Sequence, residues 1–310
     1  MLRIIAKGGA EIESASDPTA LWFDLESPDD VEEKSVEAAL RIDVPTPAER
    51  AAFEDSARFY EEGDALHVTA TLLGRRDEGP FISGAVRFIL VNGTLVTVRQ
   101  VRPRAFEIGE GRASARIGSA KTGADVFLAL IEGATERLSD LLTENTKAIA
   151  ELAGQVFTDD PAPDLRPCLR ALGKVGMLNS LAHDSLSSLQ RLLAFTHVVC
   201  KRHALDPERI AALERDVNEL EHRAEAFQSR ISYLQDGALG LINSTQADVL
   251  KALSVATILF VPPTLIASIF GMNFTAMDWF HEPWGPWVAF FLMAAAPAAL
   301  IAIAKWRRWF

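Results

Sequence analysis

Residues 252–270 read ALSVATILFVPPTLIASIF and residues 286–304 read PWVAFFLMAAAPAALIAIA; each run has 19 residues and no charge. A helix rises about 1.5 Å per residue, so each run spans roughly 28 Å, close to the hydrocarbon thickness of a bilayer. Two such runs so close together, with Trp at their flanks, fit two transmembrane helices better than two buried helices of a soluble core. The rest of the chain is organised around these two spans.

The chain has 310 residues, 31 Lys+Arg, 42 Asp+Glu and a formal charge of -11, with 49% apolar residues. That apolar content excludes a disordered chain, and the acidic balance argues against a nucleic-acid partner. Two cysteines, Cys168 and Cys200, make no disulfide framework. From residue 252 onward the charged residues are Asp278, Glu282, Lys305, Arg307 and Arg308, a net +1, so the first 251 residues carry -12. Lys305, Arg307 and Arg308 follow the second span, Arg230 and Lys251 precede the first, and the 271–285 loop has no Lys or Arg. The positive-inside rule places both ends in the cytoplasm and the loop outside. The N-terminus, MLRIIAKGGAEIE, lacks the apolar core of a signal peptide.

Two textures divide the soluble part. Up to residue 107 it reads as a mixed sheet with flanking helices: strands at Ala20–Leu25, His67–Leu73, Ala85–Val91 and Thr94–Arg99, with Asn92-Gly93 as a hairpin turn. Ser27 is the expected N-cap of one helix, with Pro28 at its first position, and Thr46 the cap of another. From about Gly123 the pattern is helical. Val126–Val156 and Leu165–His203 read as long helices separated by the breaker Asp159-Asp160-Pro161-Ala162-Pro163. A third begins near Pro207, with apolar residues at Ile210, Leu213, Val217, Leu220, Ala224, Phe227, Ile231, Leu234, Ala238 and Leu241. These steps of three and four make a heptad seam, expected to pack both within and between subunits. Continued to Phe270, this helix is about 96 Å long, leaving a stalk of roughly 65 Å outside the membrane.

The expected fold is therefore an α+β cytoplasmic domain, a long coiled-coil-like stalk helix and two C-terminal transmembrane helices. Its divisions are an α/β domain at 1–122, a helical hairpin at 123–206 and a stalk at 207–251. The first transmembrane helix occupies 252–270, an extracytoplasmic loop 271–285, the second helix 286–304 and a basic cytoplasmic end 305–310.

Two spans cannot enclose an aqueous path, so conduction requires a closed ring of copies with one helix of each facing the axis. At helical spacing the first span and its approach offer Asp236, Leu239, Asn243, Gln246, Leu250, Leu253, Thr257, Val261, Thr264 and Ser268 as that face. It mixes amides, hydroxyls and aliphatics with one acid. Rings of Leu253 and Val261 suit hydrophobic constrictions that gate by dewetting. The alternative for Thr and Ser is plain back-bonding to helix carbonyls. Phe260, Ile266 and Ile269 lie elsewhere and suit lipid or neighbouring helices.

The loop opens with Phe270-Gly271-Met272-Asn273-Phe274. Gly271 can end a helix, and symmetry turns Asn273 into a ring of amide oxygens suited to a small hard cation that keeps its waters. Gly271-Met272-Asn273 directly after a C-terminal span resembles the signature of the CorA magnesium transporters. Leu239–Phe274, including Pro262-Pro263-Thr264, is similar to that family's stalk-to-pore segment. Phe53–Leu66, Pro45-Thr46, Trp22–Leu25 and the ending Lys305–Phe310 resemble the family as well. The resemblance implies a funnel-shaped homopentamer in the cytoplasmic membrane that carries Mg²⁺ inward down the membrane potential, often tolerating Co²⁺ or Ni²⁺. It implies Asn273 as the selectivity ring, Leu253 and Val261 as gate and Asp236 as the acidic ring at the cytoplasmic end. It also implies closure by cytoplasmic Mg²⁺ at acidic sites, for which Asp29/Asp30, Glu61/Glu62/Asp64 and Asp159/Asp160 are candidates. No cofactor is expected; Mg²⁺ is the substrate and a regulatory ligand.

Many members of that family follow the motif with an acid and then Met-Pro-Glu-Leu, whereas this loop continues Thr275-Ala276-Met277-Asp278-Trp279-Phe280-His281-Glu282. Asp278 and Glu282 still suit the attraction of cations to the mouth. His281 suits a softer ion, which keeps open a zinc transporter similar to the ZntB branch. A non-conducting membrane-anchored scaffold is the third reading. His197, Cys200 and His203, three residues apart on a helix, turn through about 600° and do not converge on one metal. Lys7-Gly8-Gly9-Ala10 lacks the spacing of a phosphate loop, and the sequence holds no readable Ser/His/Asp constellation, so no enzyme is expected.

Overall fold

The computed structural model describes residues 1–14, 17–42, 44, 58–75, 79–106, 112–158, 164–272 and 283–307. Two compact units emerge, one of Met1–Asp159 with Arg166–Gln235 and one of Asp160–Leu165 with Asp236–Phe310. The expected cap Thr46, residues 53–57 of the family-like segment, and Asp159/Asp160 lie outside the described residues.

In the first unit a seven-stranded sheet forms from β1 (Leu2–Ala6), β2 (Glu11–Ile12), β3 (Ala20–Glu26), β4 (Phe59–Glu62), β5 (Ala65–Arg75), β6 (Phe81–Val91) and β7 (Thr94–Arg99). Its order is β2-β1-β3-β7-β6-β5-β4. β3 and β7 run parallel, with Trp22 opposite Leu95. The neighbouring pairs β1–β3, β6–β7, β5–β6 and β4–β5 run antiparallel. Asn92 and Gly93, at φ 50° and 76°, make the tight turn between β6 and β7, as the Asn-Gly pair dictates.

Strand alternation gives the sheet two faces. One buries Ile4, Phe23, Leu25, Ile89, Val91, Val96 and Val98 with Val36 of helix α1 (Asp30–Leu40). The other carries Trp22 and Phe88. The Trp22 ring meets Phe106 edge-on at 5.7 Å, and Phe88 meets Phe127 at 5.3 Å and 83°. α1 is capped by Asp29, not Ser27: Asp29 and Glu32 form a reciprocal capping box, and Ser27 stands at φ 45° outside the helix. The pair satisfies three amides, Asp29 accepting from Val31 and Glu32 and Glu32 accepting from Asp29.

A buried polar cluster crosses the parallel pair. Arg99 grips Asp24 with Nε and Nη2 at 2.9 and 2.8 Å, and its Nη1 donates to the Val101 carbonyl at 2.9 Å. Thr97 donates to Asp24 at 2.8 Å and accepts from the Trp22 indole at 2.9 Å. A buried carboxylate is tolerated when its lone pairs are this fully engaged.

Helices α2 (Arg112–Ser119), α3 (Gly123–Val156) and α4 (Arg166–Val199) follow. Thr122 and Asp125 cap α3. Gly123 donates to the Gly93 carbonyl at 2.6 Å, and a Cβ there would lie 2.4 Å from the Leu95 nitrogen, so only glycine lets the helix begin against the hairpin.

The long helix α5 runs Pro207–Phe270. Its seam from Ile210 to Ala238 is buried within the chain, with no member above 8% exposed, whereas Leu241 is 39% exposed and ends it. Part of the seam lies between α3 and α4. The Asn179 amide of α4 donates to the Ala224 carbonyl at 3.0 Å, Ser187 to Glu221 at 2.6 Å and Gln190 to Asn218 at 2.6 Å. On the α3 side, Arg209 pairs with Glu132 at 2.8 Å and Arg223 reaches Thr146 at 3.2 Å. The expected packing within the chain is what this burial shows, and from Ile210 to Ala238 it leaves little apolar seam surface exposed.

Leu220→Asp combined with Leu234→Asp is therefore expected to unfold the helical bundle, since each uncompensated buried carboxylate costs several kcal/mol. Limited proteolysis and circular dichroism check this; a dissociated but protease-resistant chain would place the seam between subunits instead. His67 supplies a second expectation. It stacks on Tyr60 at 4.6 Å, and burial with the Arg87 charge pushes its pKa down to about 4. Folding thus keeps His67 neutral. The stabilisation, on the order of 2–3 kcal/mol, is full above about pH 6.5 and is lost as pH falls toward 4. Denaturant titrations across that window should show the loss, and His67→Phe should flatten it.

Candidate ion pathway

α5 beyond Gln235 and helix α6 (Gly285–Trp306) are the described helices of the second unit. α5 continues through Pro262 and Pro263, each of which leaves a carbonyl one turn earlier without its amide partner. α6 has a proline in its first turn, where no amide is needed, and Pro297 inside. None of the most apolar 18-residue window of α5 is buried within the chain, and 17% of that of α6. Helices apolar all round and this exposed need lipid or further copies as their surroundings.

On this unbroken helix, at 100° per residue, Asp236, Leu239, Asn243, Gln246, Leu250, Leu253, Thr257, Val261, Thr264 and Ser268 fall within a stripe about 100° wide. All are exposed in the single chain; Leu239 is 49%, Leu253 63% and Val261 56% accessible. The hydroxyls do what the plainer alternative expects. Thr257 donates to the Leu253 carbonyl at 2.9 Å, Thr264 to Phe260 at 2.7 Å and Ser268 to Thr264 at 2.9 Å. Thr245, off the stripe, donates in the same way to the Leu241 carbonyl at 3.0 Å, so back-bonding does not distinguish the stripe.

α5 stops at Phe270. Gly271 still donates to the Ala267 carbonyl at 2.9 Å, and a Cβ on it would press that oxygen at 3.1 Å. It closes the helix without the positive φ of a left-handed cap. Met272 follows, half exposed. Asn273, Asp278, His281 and Glu282 lie outside the described residues.

In the first unit several acids considered as cation sensors already have partners. Asp29 caps α1. Glu61 accepts from Arg202 at 2.7 Å and meets His203 Nε2 at 2.8 Å, a pairing across more than 140 residues that sequence spacing does not signal. Glu62 and Asp64 are exposed. His197 pairs with Glu214 at 2.9 Å and Cys200 is buried, so the three residues of that run have separate surroundings. Among the described residues no cluster of three His, Cys, Asp or Glu is placed to hold a metal.

The family model for CorA-like Mg²⁺ transporter proteins matches residues 17–308. This chain belongs to the CorA family. Among its relatives, the magnesium transport protein CorA of Salmonella typhimurium is 28% identical over 297 residues, covering 96% of this chain and 94% of that protein. The CorA protein of Wolinella succinogenes is 27% identical, covering 95% and 92%. Among solved structures, the complete CorA magnesium transporter of Methanocaldococcus jannaschii superposes with a TM-score of 0.69 at 18% identity, over 98% of this chain and 96% of that one. Full-length CmaX gives 0.67 at 17% identity over 100% and 98%. The ZntB cytoplasmic domain of Vibrio parahaemolyticus gives 0.53 at 14% identity, over 79% of this chain and 98% of that one. These likenesses establish a CorA fold, in a family of membrane transporters.

With the α5 stripe as the axial face of a CorA ring, Leu253→Ser should raise basal ion leak at high cytoplasmic Mg²⁺, because a polar ring keeps water in the constriction. Fluorescent flux assays in proteoliposomes check this; an unchanged leak would turn Leu253 away from the axis.

Proposed function

We propose that this protein carries Mg²⁺ into the cytoplasm as a homopentamer in the cytoplasmic membrane, with both termini inside and Co²⁺ and Ni²⁺ as tolerated substrates. The observation that carries this reading is coverage: proteins named for magnesium transport match it over about 95% of its length, and the family model spans both helices of the second unit. Partners are further copies of the chain, the divalent ion and the bilayer. No organic cofactor takes part, and cytoplasmic Mg²⁺ acts as a second, regulatory ligand.

In this reading the ion is drawn to the outer mouth by Asp278 and Glu282 and meets the ring of Asn273 after Gly271 and Met272. Neutral amides hold it through its own waters, which Mg²⁺ gives up reluctantly. It then passes Ser268, Thr264, the Val261 constriction, Thr257 and the Leu253 constriction. Leu250, Asn243 and Leu239 lead to the Asp236 ring at the cytoplasmic end. Family membership makes the scaffold reading superfluous. The zinc reading rests on His281 and on the fold shared with ZntB.

Uptake of Mg²⁺ into proteoliposomes tests the reading, with Zn²⁺ and an imposed pH gradient as parallel arms; uptake of Zn²⁺ driven by protons, with none of Mg²⁺, would replace it. Asn273→Ala and Asn273→Asp should both abolish Mg²⁺ flux with the oligomer intact. The Asp variant should still bind divalent ions tightly, since each carboxylate adds about 8 kcal/mol of attraction to a doubly charged ion at about 4 Å and an effective dielectric near 20. Near-normal flux through Asn273→Ala would leave the motif as a helix stop.

A further inference from the structure

Leu253, Thr257 and Val261 succeed one another at steps of four residues, so Thr257 sits one turn, about 6 Å, from each apolar neighbour. A ring of this hydroxyl divides what is otherwise an apolar stretch of about 12 Å. The hydroxyl has a single proton, and that proton is donated to the Leu253 carbonyl at 2.9 Å. What the oxygen offers elsewhere is lone pairs alone. Thr264 and Ser268 commit their protons in the same way.

We propose that Thr257 forms an acceptor-only station between the two hydrophobic rings, where a hydrated divalent cation rests and hydrated anions are refused. The proposal rests on the reading of the α5 stripe as the lining of the path. A cation turns the oxygens of its waters inward and their hydrogens outward, so its hydration shell needs acceptors in the wall. An anion turns its waters the other way and needs donors. From Thr257 to Ser268, with every hydroxyl proton on the stripe held by the helix, the wall matches the first and fails the second. The discrimination needs no formal charge, which at this depth would be costly and would hold the ion too tightly. Without the Thr257 oxygen, Leu253 and Val261 merge into one apolar barrier that an ion must cross with no partner for its water.

The test uses the full-length protein in proteoliposomes, with Thr257→Val, Thr257→Ser, Thr257→Cys and Asn243→Cys. The native Cys168 and Cys200 are buried, which leaves a low background for thiol labelling. Thr257→Val keeps the shape and removes the oxygen; it is expected to lower Mg²⁺ flux about tenfold or more with the oligomer intact. Thr257→Ser restores the flux. Under low Mg²⁺, a cationic thiol reagent should modify Thr257→Cys and block it. Flux through Thr257→Val within about twofold of the parent, with Thr257→Cys labelled, overturns the proposal and leaves the path where it is. Labelling of Asn243→Cys without labelling of Thr257→Cys overturns the station while the lining stands. Labelling of neither in a conducting protein removes the lining and the station together.

Discussion

A peptide group that enters hydrocarbon leaves behind the water it was bonded to, and a missing partner there costs several kcal/mol. α5 and α6 meet this constraint along most of their length, the exceptions being the carbonyls one turn before Pro262, Pro263 and Pro297. The backbone is closed into helix from Pro207 to Phe270 and from Gly285 to Trp306. The same demand reaches the side chains, for Thr257, Thr264 and Ser268 return their protons to carbonyls of the helix that carries them. Two such helices have no surface left with which to enclose water. In the proposed reading, the polar positions of the α5 stripe face further copies around an axis, and closed symmetry lets one helix per copy form the lining.

The soluble unit solves the opposite problem, because it is acidic and water is abundant. Its charges are engaged where they cross between elements: Asp24 with Arg99 inside the sheet, Glu61 with Arg202 and His203 from the strand edge to the turn after α4, Glu132 with Arg209 from α3 to α5. The buried pair is held by geometry, and the surface pairs contribute little energy each. Their common effect is on register, since every one of them joins residues remote in sequence. A search for cation sensors among the acidic runs therefore competes with structural uses of acids: Glu61 pairs across elements and Asp29 caps its own helix.

Long-period patterns are legible in the sequence and local alternatives are not. The seam, the two apolar runs and the hairpin at Asn92-Gly93 carry their helices and strands to within a few residues, because periodicity accumulates over many positions. The strand Leu2–Ala6 is not legible, since five residues at a chain end give alternation too little length to register. α2 and β4 are similarly short. The cap of α1 falls two residues later than Ser27-Pro28 suggests, because that pair is a good helix start on its own and Asp29-x-x-Glu32 is a better one. Which side of the seam is covered cannot be read from heptads, which look alike whether the partner is the same chain or another. On the candidate pathway, the stripe from Asp236 to Ser268 follows from spacing alone, whereas hydroxyl orientation depends on atoms that spacing does not describe.

The continuity of α5 has a consequence for how the chain is made. Its last buried seam residue before the second unit is Leu234, and the first apolar run begins at Ala252, only 18 residues later. Synthesis at about 5–20 residues per second separates them by roughly 1–4 seconds. The helix that completes the soluble bundle is thus also the first to need a bilayer, and the two tasks arrive almost together. A chain whose bundle docks late presents an apolar span still attached to an open groove between α3 and α4, with each surface a ready partner for the other. Prompt delivery of that span to lipid protects the soluble unit from its own tail.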